Sequence, residues 1–258
     1  MFKPTLQPIT KTQKLILFLL YKFRFFTIKQ LRKYLKHKDP HRIKEWLTDL
    51  KNKGYISVIV NKKDPTKSHV FCLATKAKYI LQQNEDCDKA VLKRLYKEKG
   101  LLKNFRNHLL FIVDIYLYFL SRQGKDSTLH FLTKQDLIGY DFFPDELPDA
   151  YIAVETKDGT DKYFLDLFDE YRKPAGVARF NVRKYIDYCE EGSWQANIKN
   201  STFPTLLFIV ADERRRKHIH MYGKAKLQKT FEDISLFLTT QDNIRFSKGK
   251  INIWKKVE

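Results

Sequence analysis

Asp39-Pro40 at one end and Gly54 at the other bracket the stretch His41–Lys53, whose apolar residues are Ile43, Trp46, Leu47 and Leu50. That spacing puts them on one face of a helix. Asp is a favoured N-cap, Pro suits the first helical position, and Gly tolerates the left-handed residue that closes a helix. The bracket fixes where one helix begins and ends, and its neighbours must fit that frame. Upstream, Leu15, Leu19, Leu20 and Phe23 predict a first helix over roughly residues 10–24. Thr27 stands as the cap of a second, with Ile28, Leu31, Tyr34 and Leu35 facing inward. Downstream, Tyr55–Val60 and His69–Leu73 flank a polar turn containing Asp64-Pro65, the pattern of a β-hairpin. Thr75 then opens a helix running to about Gln83.

Three helices and a hairpin in that order, over residues 1–83, predict a winged helix-turn-helix. The first 81 residues carry 19 Lys and Arg against 4 Asp and Glu, a net of +15 in a chain whose total is +19. Residues 82–258 are nearly balanced, with 30 basic and 26 acidic side chains. Concentrated positive charge suits a polyphosphate, because neutralising the phosphates releases counterions. Double-stranded DNA is therefore the expected partner, with the third helix in the major groove. On its outer face are expected His41, Arg42, Lys44, Glu45, Thr48, Asp49 and Lys51. Of these, His41, Arg42, Lys44, Thr48 and Lys51 are the candidate DNA contacts. Lys62, Lys63 and Lys67 at the hairpin tip are placed to hold backbone phosphates. For any single lysine the plainer reading is a solvated helix face. For the set, the competing reading is a winged helix used for protein contact.

The 258 residues suffice for two ordinary domains, and 20 Phe and 14 Tyr supply apolar area for real cores. Cys72, Cys87 and Cys189 are far apart and odd in number, so they form neither a disulfide framework nor a zinc spacing. The opening residues lack the apolar stretch of a signal peptide. The longest apolar runs, Leu15–Tyr21 and Leu109–Leu120, are too short to span a bilayer. A cytoplasmic protein without membrane contact is expected. No Gly-rich phosphate loop or nucleophile elbow occurs, which argues against a nucleotide-driven motor and a serine hydrolase.

Residues 84–103, with Glu85, Asp86, Asp88 and a mixed-charge helix ending at Gly100, are expected to link this module to a second domain over 104–258. That domain reads as a helix at 104–121, strands at Thr128–Thr133, Ala150–Glu155 and Lys162–Phe168, and a helix over about 177–190. An apolar strand, Thr205–Ala211, and a last helix near 225–239 complete it. The order α-β-β-β-α-β marks an α+β or α/β class. Residues 136–170 hold 11 carboxylates and only Lys157 and Lys162 as bases, a net of −9, while 171–258 return to +9. Carboxylates set among basic surface are what a Mg²⁺-dependent phosphodiester site requires, since hard cations take oxygen ligands and neutralise the scissile phosphate. Asp149, just before one strand, and Asp166, on the next, are the candidate metal ligands. The alternatives are a turn residue after Pro148 and an exposed strand residue.

Pro148-Asp149 followed by an acidic residue on the next strand resembles the PD-(D/E)XK nuclease pattern of restriction endonucleases. The chain as a whole resembles the replication-relaxation family of plasmid and mobile-element proteins. The likeness rests on Leu73-Ala74-Thr75-Lys76 after the hairpin, His108 on the long helix and Pro148-Asp149-Ala150. It continues in Phe164-Leu165-Asp166-Leu167, Lys184-Tyr185 and the strand Pro204–Val210. It implies a DNA-binding accessory of plasmid replication or mobilisation, working with a relaxase or replication initiator. It also implies a nuclease-like second domain that is degenerate. A nuclease would place Lys two residues after Asp166, where this chain has Phe168. Lys184 or Lys173 would have to substitute, with Asp169 and Glu170 as extra oxygens. An active Mg²⁺-dependent endonuclease using Asp149, Asp166 and Lys184 is thus one alternative. A transcriptional regulator whose second domain forms a homodimer or senses a partner is another. His218-Ile219-His220 reads as alternate positions of a strand, a solvent edge or metal ligands. Arg214-Arg215-Arg216-Lys217 reads as a solvated loop or a second phosphate contact.

Overall fold

A computed structural model of the chain describes residues 6–60, 68–169, 174–198, 201–247 and 252–258. They fall into two units, Met1–Leu117 and Tyr118–Glu258. No helix among the described residues is long and apolar enough to cross a membrane.

In the first unit, Thr10 opens α1 (Lys11–Phe23) with a capping box. Its hydroxyl accepts from the Gln13 N–H at 3.2 Å, and the Gln13 side chain accepts from the Thr10 N–H at 2.9 Å. Thr27 repeats the device for α2 (Ile28–Leu35), with Gln30 as its partner. At α3 (Pro40–Asn52), Asp39 Oδ1 accepts from the His41 N–H at 2.7 Å. Gly54, at φ +77°, follows the end of α3 in the left-handed conformation that a side chain would strain. β2 (Ile56–Ile59) and β3 (Val70–Leu73) pair antiparallel, with Val58 opposite Phe71. β1 (Phe26–Thr27), too short to leave a sequence pattern, adds to β3 and gives the order β1-β3-β2. Lys62, Lys63 and Lys67 lie outside the described residues. After β3 the expected helix is cut to a 3₁₀ turn, Thr75–Ala77, and one turn of helix, α4 (Lys78–Leu81). The Thr75 side chain is not its cap.

The core of this unit gathers Ile16, Leu17, Leu20, Leu31, Ile43 and Leu50, all essentially inaccessible to solvent. The buried stripe of α1 is turned slightly from the one expected, since Leu15 is 38% exposed. The segment expected as a linker contains α5 (Lys89–Lys93) and a 3₁₀ stretch, Leu95–Gly100, and lies within the first unit. Polar bonds explain why. The Arg24 guanidinium grips the buried Glu98 carboxylate through two nitrogens, at 2.8 and 3.1 Å. The Gln30 amide donates to the Leu110 carbonyl at 2.7 Å and to Asp114 Oδ1 at 2.9 Å, both on α6 (Lys103–Arg122).

The second unit is built on a sheet that, among the described residues, has the order β4-β5-β6-β7-β8-β9. β4 (Thr128–Thr133), β5 (Ala150–Thr156) and β6 (Gly159–Phe168) are antiparallel. β6, β7 (Thr205–Val210) and β8 (Leu236–Thr240) run parallel, and β9 (Lys255–Lys256) returns antiparallel on β8. The crossovers are α7 (Pro174–Glu190), followed by the short α8 (Ser193–Asn197), and α9 (Glu213–Leu227). Both step the same way along the sheet, and right-handed connections put both helices on one face. There α7 packs against α9. Phe164, Phe208 and Leu238 from the strands meet Val182, Trp194 and Ile219 from the helices to form the core. The helix expected near 225–239 is not there. α9 ends at Leu227, residues 236–240 form β8, and the short α10 (Gln241–Phe246) follows. Leu227, Phe231, Ile234 and Leu238 imitate helical spacing, yet Phe231 is wholly exposed. Pairing with β7 decides the matter, and that partner is non-local.

Candidate nucleic-acid interface and a buried acidic pair

Burial of Ile43, Leu47 and Leu50 turns the opposite side of α3 outward, so His41, Arg42, Lys44, Glu45, Thr48 and Lys51 are exposed. Asp49 departs from the expected outer set because it is drawn back toward α1. Its Oδ2 accepts from Lys53 Nζ and from Gln13 Nε2, each at 2.6 Å. Those two bonds, Lys53 first, hold the Asp49 carboxyl below the ordinary carboxylate range. Asp49 is thereby neutralised away from the basic face, and α3 is pinned to α1. Arg42 is held between Glu45, 2.7 Å from its Nη1, and the Trp46 ring, 5.7 Å from the guanidinium carbon.

Lys44, Thr48 and Lys51 line one wall of a groove of about 590 Å³, whose other wall is the β2–β3 hairpin with Ser57, Val58 and His69. Lys99 lines it too. The sequence reading missed His69 and Lys99 as site residues. Nothing local could have flagged Lys99, since it is packing of the 3₁₀ stretch on β2 and β3, distant in sequence, that brings it to this groove.

In the second unit the antiparallel register sets Ala150 against Leu165 and so brings Asp149 beside Asp166. The Asp149 N–H donates to Asp166 Oδ1 at 3.4 Å, and Asp149 Oδ2 accepts from the Leu167 N–H at 2.9 Å. Asp166 shares a strand face with Phe164 and Phe168, is only 5% exposed, and points at α7. There Tyr185 OH and Asn181 Nδ2 both donate to Asp166 Oδ2, at 2.9 and 3.1 Å. Burial raises the Asp166 carboxyl above its ordinary value. Lys184 opposes the rise, and Asp149 adds to it. Burial likewise lowers the Lys184 ammonium and lifts the Tyr185 phenol far up. Lys184 Nζ donates to the Glu146 carbonyl at 2.9 Å, tying α7 to the loop before β5.

Asp149, Asp166 and Lys184 are therefore neighbours, linked across two strands and a helix. As a metal site the set fits poorly. Mg²⁺ wants accessible oxygens in near-octahedral array, usually with several waters retained. Both Asp166 oxygens already accept protein hydrogen bonds in a sealed position. Among the described residues no three His, Cys, Asp or Glu side chains are grouped to hold a metal ion. Phe168 at the end of β6 is buried in the core, and Lys173 and Glu170 lie outside the described residues. His218 and His220 sit on α9 rather than on a strand, with Ile219 buried between them, and Arg214–Lys217 form its first turns rather than a loop.

A basic helical unit joined in sequence to a mixed-sheet unit with a buried acidic pair is the class these elements define. The chain belongs to the replication-relaxation family, whose model matches residues 17–205. Among solved structures, the Lactococcus lactis ZitR C30AH42A mutant is similar at 20% identity and a TM-score of 0.27. That match covers 44% of this chain and 73% of that one. Restriction endonuclease FokI is similar at 12% identity and a TM-score of 0.36, covering 92% of this chain and 44% of FokI. Both scores are too low for either fold to be transferred to this protein. No curated protein matches the chain.

Proposed function

We propose that this protein is a DNA-binding accessory of plasmid or mobile-element replication or mobilisation, docking on duplex DNA through a winged helix-turn-helix. In this reading α3 enters the major groove and the β2–β3 hairpin is the wing. The observation that carries it is the outward face of α3. Lys44, Thr48 and Lys51 run along a groove beside the hairpin, and the one carboxylate turned away from that face, Asp49, is neutralised from behind. Membership of the replication-relaxation family supports the setting, with a relaxase or replication initiator as the protein partner. The second unit resembles the PD-(D/E)XK pattern in its strand order and in Asp149 and Asp166. The sealed Asp166 carboxylate favours a scaffold over a nuclease.

Fluorescence anisotropy with a mixed-sequence duplex tests the first part. About five phosphate contacts give a slope of log affinity on log salt near −4 to −5, and Lys44→Ala with Lys51→Ala flattens it by about 2. A flat response of the unaltered protein refutes the proposal. Plasmid nicking in Mg²⁺ tests the second part. Activity that Asp166→Asn abolishes would restore the endonuclease reading.

A further inference from the structure

α9 is pressed onto the sheet in one fixed rotation. Arg216, Ile219 and Gly223 form its buried stripe. A Cβ on Gly223 would come within 3.0 Å of Leu236 Cδ2 and 3.5 Å of Val257 Cγ1, so this side of the helix meets β8 and the chain end directly. The opposite side is thereby assigned to solvent, and Arg214, Lys217, His218, Met221 and Lys224 are all exposed there. The two acidic residues at the start of the helix offset this face only in part, Glu213 attracting Lys217 without reaching ion-pair distance. Asp212 caps α9 and pairs with Arg215, while Glu213 pairs with Arg216 at 2.7 Å. Arg214, Lys217 and Lys224 have no carboxylate within ion-pair distance among the described residues. The other carboxylates of this unit include Asp141, Asp145, Glu146, Asp187 and Glu191, which line a pocket of about 690 Å³ together with Arg183 and Lys184.

We propose that the outer face of α9 is a second contact surface for the phosphate backbone of duplex DNA, with Arg214, Lys217 and Lys224 as its cations. The proposal rests on the DNA-binding reading and extends it to the second unit. From Arg214 to Lys224 the helix rises about 15 Å, close to four base pairs of duplex at 3.4 Å each. Three cations over that length can reach phosphates distributed along about four base pairs. The His218 ring N–H is a further donor between them. Contacts to the phosphate backbone carry no sequence information, so its contribution is affinity common to all sequences.

The test compares three full-length proteins on a mixed-sequence duplex across a salt series: the unaltered chain, Arg214→Ala/Lys217→Ala/Lys224→Ala, and Arg214→Lys/Lys217→Arg/Lys224→Arg. All three positions are exposed and Ala favours helix, so the fold is retained. Loss of three contacts reduces the salt slope by about 2.7, so a fourfold rise in salt weakens the alanine variant about 40-fold less than the unaltered chain. The charge-preserving variant keeps the original slope. An alanine variant whose slope matches the unaltered chain overturns the α9 surface and leaves the reading of α3 standing. A charge-preserving variant as defective as the alanine one overturns it too, because charge is then not what matters. If the unaltered chain shows no salt-dependent binding, the function proposed above falls, and the α9 surface with it.

Discussion

Replacing Asp166 by Asn keeps the shape of the side chain and removes its charge, which separates a structural role from a catalytic one. Three donors converge on the carboxylate: Tyr185 OH at 2.9 Å, Asn181 Nδ2 at 3.1 Å and the Asp149 N–H at 3.4 Å. Asn offers a single acceptor oxygen, so its NH₂ must face at least one of those donors. Hydrogen bonds to a charged acceptor contribute roughly 1.5–3 kcal/mol each, and stranding a buried donor costs about 1–3 kcal/mol. Against this, Asn removes the cost of burying an ionised group, visible in the raised carboxyl of Asp166. The net expectation is a loss of about 1–3 kcal/mol at neutral pH. The pH dependence carries a sign of its own. Because the folded carboxyl titrates above its ordinary 3.8, the folded state holds a proton that the unfolded chain has released in the window between those two values. Stability therefore falls as pH rises through that window, and Asp166→Asn abolishes this component. Guanidinium titrations followed by circular dichroism, with hydrogen exchange of β6 and α7 to assign the transition, measure both effects. A variant as stable as the original, with the same pH profile, refutes the idea that Asp166 holds the second unit together.

Arg24→Ala strands the buried Glu98 carboxylate and is expected to cost about 2–4 kcal/mol, read as a shift in the denaturation midpoint of the first unit. Asp49→Ala deprives the buried Gln13 amide of its best acceptor and is expected to destabilise the first unit by about 1 kcal/mol. Since the Asp49 carboxyl is held below 3.8, its contribution is present above that value and lost as pH falls through the lowered one. Acid titration of variant against original checks the sign. Arg42→Ala, on the outer face of α3, is expected to weaken discrimination among duplex sequences more than affinity for mixed sequence. Competition binding across a sequence library measures this.

Legibility followed locality. Asp39-Pro40, Thr27 and Gly54 announce where helices start and stop because caps act within a turn or two, and α2 and α3 lie where those residues place them. The strands β4 to β7 were likewise legible, since alternation or an unbroken apolar run is a short-range pattern. Where the partner is distant the sequence was silent or misleading. β1 exists only because β3 offers it an edge, and β8 only because β7 does. The linker expected at 84–103 is held in the first unit by Arg24–Glu98, a pairing 74 residues apart that no spacing rule could suggest.

The two candidate surfaces differ in legibility for a physical reason. A cationic face survives any small error in register, because exposed lysines need only point outward and their summed charge does the rest. Lys44 and Lys51 were legible on that ground, and Arg214 and Lys217 were legible as charge even while their helix was read as a loop. A carboxylate pair has no such tolerance. Asp166 accepts bonds from Asn181 and Tyr185, which reach it from the other side of a crossover, and Asp149 accepts from the Leu167 N–H on β6. The identity of the acidic residues could be read from the chain. Their chemistry is set by the donors that face them.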